Sequence, residues 1–163
     1  MFFSISTIAL VATLLPAALA APAPIQKRFT GALIRSGRTG TCLTLSDSGR
    51  IIDGSLLSVG DCATATKWDI SPGSGSVIIS GTNFALDAGV PQGNNAVAKV
   101  WISYPTSQQQ TWYLTGDNRI AVTGGDQCLD QGDNGPQTYQ CTTGNTNQGK
   151  SSLVSDADDS LVR

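Results

Sequence analysis

The sequence predicts an all-β chain built from three repeated units of four short strands, and three observations carry that expectation. The composition disfavours helices: Gly accounts for 18 of the 163 residues, and all 12 acidic residues are Asp, with no Glu anywhere. Glu is a strong helix former, whereas Asp, Asn, Ser and Gly favour turns and caps. The chain also repeats itself, with Cys42-Leu43-Thr44, Ala85-Leu86-Asp87 and Cys128-Leu129-Asp130 standing 43 residues apart. Finally, the four cysteines fall in the same expected strands, the second and third, of two copies: Cys42 and Cys62 in the first and Cys128 and Cys141 in the third.

The N-terminal stretch is set apart from those copies. Phe2 to Leu19 carries no charge, and Ala18-Leu19-Ala20 has the small-x-small form of a signal-peptidase site, so residues 1–20 are expected to be a signal peptide. Pro16 within the run and the lack of a following Lys/Arg cluster disfavour a membrane anchor, and no membrane insertion is expected. Residues 21–28, APAPIQKR, end in the dibasic pair Lys27-Arg28 and resemble a pro-segment or linker. The folded domain is then expected at 29–163, a usual size for one domain. Loss of Lys27 and Arg28 takes the net charge from −2 to about −4, which disfavours nucleic acid and anionic surfaces as partners. No Asn-x-Ser/Thr sequon occurs.

The units are expected at about 29–71, 72–115 and 116–155. Each opens on a β-branched run closed by Ser-Gly or Thr-Gly: Leu33-Ile34 before Ser36-Gly37, Val77-Ile78-Ile79 before Ser80-Gly81, Ile120-Ala121-Val122 before Thr123-Gly124. These read as hairpin turns into the second strands named above. The third strands are LLSVGDC, AVAKVWIS and PQTYQC, and the fourth begin TKW, QTW and QGK. Trp68-x-Ile70 and Trp112-x-Leu114 place a large ring and an aliphatic residue on one strand face, pointing inward. Three units are too few to close a propeller, so a single shared core is expected.

With Gln110-Thr111-Trp112 ending the second unit, the pattern resembles the ricin B-type lectin family, a threefold β-trefoil whose repeats end in Gln-x-Trp. The resemblance implies a secreted, non-catalytic carbohydrate-binding protein for galactose or N-acetylgalactosamine type glycans, with no cofactor. Of the three pairings open to four cysteines, the repeat selects Cys42 with Cys62 and Cys128 with Cys141, and the family's bridges within a repeat agree. Each would stabilise by about 3 kcal/mol on a chain-entropy argument. Metal binding is disfavoured by the lack of His and of any Cys-x-x-Cys spacing.

The family's sugar pocket uses an Asp after the first cysteine, a residue and an aromatic on the third strand, and an Asn/Gln pair near Gln-x-Trp. Unit three fills every role with Asp130, Gln137, Tyr139, Asn147 and Gln148. An acid accepts hydroxyl bonds, a ring carries the apolar sugar face, and amides fix the remaining hydroxyls. Unit two offers Asp87, Lys99, Trp101, Gln109 and Gln110 as a second choice, and unit one, with Thr44, Ser58, Gly60 and Thr66, is expected to be structural. The third copy departs from the family at its end, where Lys150 stands at the phase of the third Trp and only Leu153 and Val154 follow as burial candidates.

Two other function classes share these features. A β-trefoil protease inhibitor or extracellular effector would act through a protruding loop such as Gln92 to Ala96. A glycosidase would need a pair of carboxyls, and no Asp pair shows spacing that singles it out.

Overall fold

The computed structural model describes residues 29–47, 49–71 and 73–148. The expected signal peptide and dibasic segment, and Lys150, Leu153 and Val154, lie outside the described residues.

Unit one contributes β1 (Phe29–Ala32), β2 (Cys42–Leu45), β3 (Ser55–Gly60) and β4 (Trp68–Ile70). In unit two the first strand is split into β5 (Ser74–Gly75) and β6 (Val77–Ile79), followed by β7 (Phe84–Asp87). Its third strand is split into β8 (Ala96–Val97) and β9 (Lys99–Ile102), and β10 (Trp112–Leu114) closes the unit. Unit three contributes β11 (Ile120–Val122), β12 (Gln127–Gly132) and β13 (Gly135–Gln140). Single 3-10 turns at Gln108–Gln110 and Thr146–Gln148 are the helical elements among the described residues.

The two splits occur where one strand changes neighbour. β5 pairs with β10 of its own unit while β6 pairs with β4 of unit one. β8 pairs with β13 of unit three while β9 pairs with β7 and with β3 of unit one. Sharing strands in this way stitches the units into two curled antiparallel sheets, the arrangement of a β-trefoil.

The predicted phase holds at the level of single residue pairs. Thr44 stands opposite Ser58, Asp87 opposite Lys99 and Asp130 opposite Gln137, one equivalent pair in each hairpin. The hairpin turns differ in one respect. Gly81 and Gly124 both adopt φ of 76°, a left-handed conformation that costs a residue with a Cβ. Arg38 occupies that phase in unit one, where the left-handed residue is Gly40 at φ of 73° and not the expected Gly37. Arg38 instead reaches unit three, pairing with Asp133 at 2.7 Å.

Trp68 and Trp112 are buried at the centre with Ile70, Val77, Leu86 and Val122, the inward face that the Trp-x-aliphatic spacing predicts. Both indoles donate to the second strand of their own unit, Trp112 to the Leu86 carbonyl at 2.9 Å and Trp68 to the Leu43 carbonyl at 3.5 Å. The bridges Cys42–Cys62 and Cys128–Cys141 form as expected, and no free cysteine occurs among the described residues.

In unit three, Leu129 has the phase of Leu86. Among the described residues, Leu129, Ile120, Ile34, Ser36 and Leu43 line a cavity of about 40 Å³ at that phase. The cavity offers an apolar wall to an indole at the phase of the third Trp. Lys150→Trp is expected to raise the thermal midpoint by on the order of 5 °C, read by circular dichroism. An unchanged or lower midpoint would contradict the register.

Candidate functional site

The unit three hairpin builds its site by strand alternation. Asp130 on β12 and Gln137 on β13 are direct partners, so their side chains share a face, and Tyr139 lies two residues along on that face. Leu129 and Thr138 point to the other side, Leu129 into the core and Thr138 fully buried. The 3-10 turn Thr146–Gln148 then folds over the Asp130 end of the hairpin.

Together these elements surround a cavity of about 390 Å³ lined by Asp130, Gln137, Tyr139, Asn145, Asn147 and, from unit two, Asn95. Asp130 is only 3% exposed. Its Oδ1 accepts from Gln137 Nε2 at 3.2 Å and its Oδ2 from Asn145 Nδ2 at 3.4 Å. A carboxylate offers about four lone-pair sites, so two such donors leave capacity for further hydroxyls. Burial raises the Asp130 pKa above its ordinary value, while the amides of Gln137, Gln148 and Asn145 and the Arg38 charge pull it down. Gly132 lets Gln137 take this position, because a Cβ there would collide with the Gln137 amide. Tyr139 keeps 37% of its surface exposed at the rim.

Gln148 stands apart from the other four expected residues. It is buried, its Oε1 accepts from the Thr142 N–H at 2.8 Å, and its Nε2 donates to the Gln140 carbonyl at 2.7 Å. Gln110 repeats the arrangement in unit two, accepting from the Tyr104 N–H at 2.7 Å and donating to the Ile102 carbonyl at 3.1 Å. Gln110 also donates to Asp87 Oδ2 at 3.0 Å. Both glutamines thus tie the 3-10 turn to the neighbouring strand and face the acid from within.

Unit two brings Asp87, Lys99, Trp101, Gln109 and Gln110 around a second cavity of about 340 Å³. Its acid is held by shorter bonds, since the Gly89 backbone N–H donates to Asp87 Oδ1 at 2.7 Å and Gln110 to Oδ2 at 3.0 Å. Lys99 Nζ sits 5.3 Å from the Trp101 ring centre, a cation–π contact. Unit one replaces acid and amide by a hydroxyl pair, Thr44 and Thr66 at 3.1 Å, and carries Gly60 where the others have a ring. The loop from Gln92 to Ala96 does not protrude freely: Gly93 O accepts from Thr138, Asn95 N–H donates to the Thr138 carbonyl, and Asn94 Oδ1 accepts from the Gln140 N–H.

The sequence profile of the family described as Ricin-type beta-trefoil lectin domain matches residues 29–149. The chain belongs to the ricin-type β-trefoil lectin family. Such lectin domains are generally non-catalytic carbohydrate binders. The crystal structure of ThreeFoil, a designed threefold symmetric protein, aligns with a TM-score of 0.60 at 19% identity, covering 72% of this chain and 93% of that one. That likeness speaks to the fold alone. No curated protein matches the chain.

Besides Gly132, Asp133 and Asn134 of the hairpin turn, two amides that line the unit three cavity escaped the sequence reading. Asn145 sits at the phase of Ser107, so the repeat carried no hint of an amide there. Asn95 comes from the neighbouring unit, where a comparison made unit by unit does not look; its left-handed φ of 65° is common for Asn in a turn.

The raised pKa sets the sign of a pH effect. Asp130 contributes stability that is fully present below the ordinary carboxylate range and is lost as pH rises through its raised folded value. Wild type should therefore lose stability relative to Asp130→Asn as pH climbs across that window, measured by urea unfolding. Gln137→Leu should move the carboxyl titration, followed by carbon NMR, still higher. A titration at or below the ordinary aspartate value would overturn the assignment.

Proposed function

We propose that the protein is a secreted lectin without catalytic activity, whose unit three binds galactose or N-acetylgalactosamine type glycans. Asp130 accepts bonds from two adjacent hydroxyls, the Tyr139 ring carries the apolar C–H face, and Gln137, Asn145 and Asn147 hold the remaining hydroxyls. Gln148 and Gln110 position the acids from behind. Asp87 and Trp101 form a second, weaker site, since Lys99 and the Gly89 N–H compete for the same groups.

The observation that carries this reading is the convergence in one cavity of a buried acid, half-buried amide donors and an exposed ring. A neutral polyol needs that combination, because it offers hydroxyls on its edges and C–H on one face. Secretion rests on the leader-like residues 1–20 and is consistent with the two disulfides, which persist in oxidising compartments. Among the described residues no helix is long and apolar enough to cross a membrane, and no cluster of His, Cys, Asp or Glu is arranged to hold a metal.

Purified protein starting at Phe29 should be retained on immobilised galactosides and released by free galactose. Tyr139→Ala and Asp130→Ala should each weaken binding about 10- to 100-fold, the scale of hydrogen bonds to a charged group, with an unchanged circular dichroism spectrum for the Tyr139 variant. Passage of the wild type through a broad glycan panel without retention would contradict the proposal.

A further inference from the structure

The two candidate sites are connected. The unit two cavity shares Gly89, Val90 and Lys99 with a middle concavity of about 430 Å³, and that concavity shares Asn95 with the unit three cavity. Strand pairing explains the continuity. Asp87 faces Lys99 across β7 and β9, Val97 faces Gln137 across β8 and β13, and Gln137 faces Asp130 in turn. Partners in register share a face, and Val97, Lys99 and Trp101 alternate outward while Ala98 and Val100 are fully buried. The outward side of this split strand, β8 and β9, therefore links the Asp87–Trp101 pocket in one sheet to Gln137 and Asp130 in the other.

We propose that this face is a single groove that binds one linear glycan chain of several residues, with the ground between the two pockets acting as an intermediate subsite. The inference rests on the sugar-binding reading of unit three. The stretch from Trp101 to Val97 alone covers about 13 Å of strand, longer than one pyranose ring. Its floor is chemically suited to a sugar. Val97 leaves 57% of its surface exposed on a strand face, an apolar patch against which C–H groups can lie, and Asn95 supplies an amide at its edge. Asn95 is itself fixed by its N–H bond to the Thr138 carbonyl at 2.8 Å, so the wall between middle and end is preformed. Independent monosaccharide pockets would call for no shared walls and no exposed aliphatic floor between them.

Calorimetric titration of galactose against linear β1,3- and β1,4-linked galactans of two to five residues tests the groove. Affinity should climb with chain length to at least tenfold above galactose in one of the two linkages, at one chain per protein. Val97→Glu should return the longest chain to the level of galactose while the galactose affinity stays within twofold of wild type. Galactose binding with no gain on lengthening in either linkage, two chains per protein, or a gain that survives Val97→Glu would each refute the groove and leave the unit three site standing. Absence of binding by galactose and by every chain would refute both.

Discussion

A buried carboxamide behind an acid is the interaction on which the binding face depends. Gln110 bonds at once to the Tyr104 N–H, the Ile102 carbonyl and Asp87, so one side chain joins the second strand, the third strand and the 3-10 turn of its unit. Gln148 makes the same backbone bonds in unit three. Being desolvated, such an amide is costly to leave unpaired, and this holds the turn in place over the hairpin. In both units the acid is backed by an amide bonded to the backbone.

The three units show how one frame diverges. Thr44 and Thr66 reproduce the tie between strand and turn with hydroxyls, and Thr66 also accepts from the Leu45 N–H at 3.1 Å. The mechanical role survives there without an acid or a ring. Unit two keeps acid and ring, but the protein itself occupies both. Unit three surrounds its acid with side-chain amides, and its short β12–β13 turn leaves a cavity to which the longer unit two loop contributes Asn95. Units one and two keep the same core anchor, Trp68 and Trp112, while their outer faces differ.

How much of this was legible in the sequence follows from what each residue depends on. The 43-residue phase placed the second strands, and matching the third strands one to another gave the partners of Thr44, Asp87 and Asp130 and both disulfides. Exposure was not legible. A Gln beside a predicted pocket gives no sign in the sequence that it is buried and bonded to the Thr142 N–H and the Gln140 carbonyl. Contributions from another unit were hidden too, because Asn95 reaches unit three through the β8–β13 pairing, which no local pattern encodes. The split strands of unit two have the same origin in a change of neighbour between units.

The central claim, that Gln148 positions and Asp130 with Tyr139 binds, is tested most directly by a crystal structure with galactose bound. The account predicts the sugar's apolar face on the Tyr139 ring, two hydroxyls within hydrogen-bond distance of Asp130, and the Gln148 amide still bonded to the Thr142 N–H and the Gln140 carbonyl. A sugar seated away from Tyr139, or a Gln148 amide turned from the backbone onto the ligand, would contradict it.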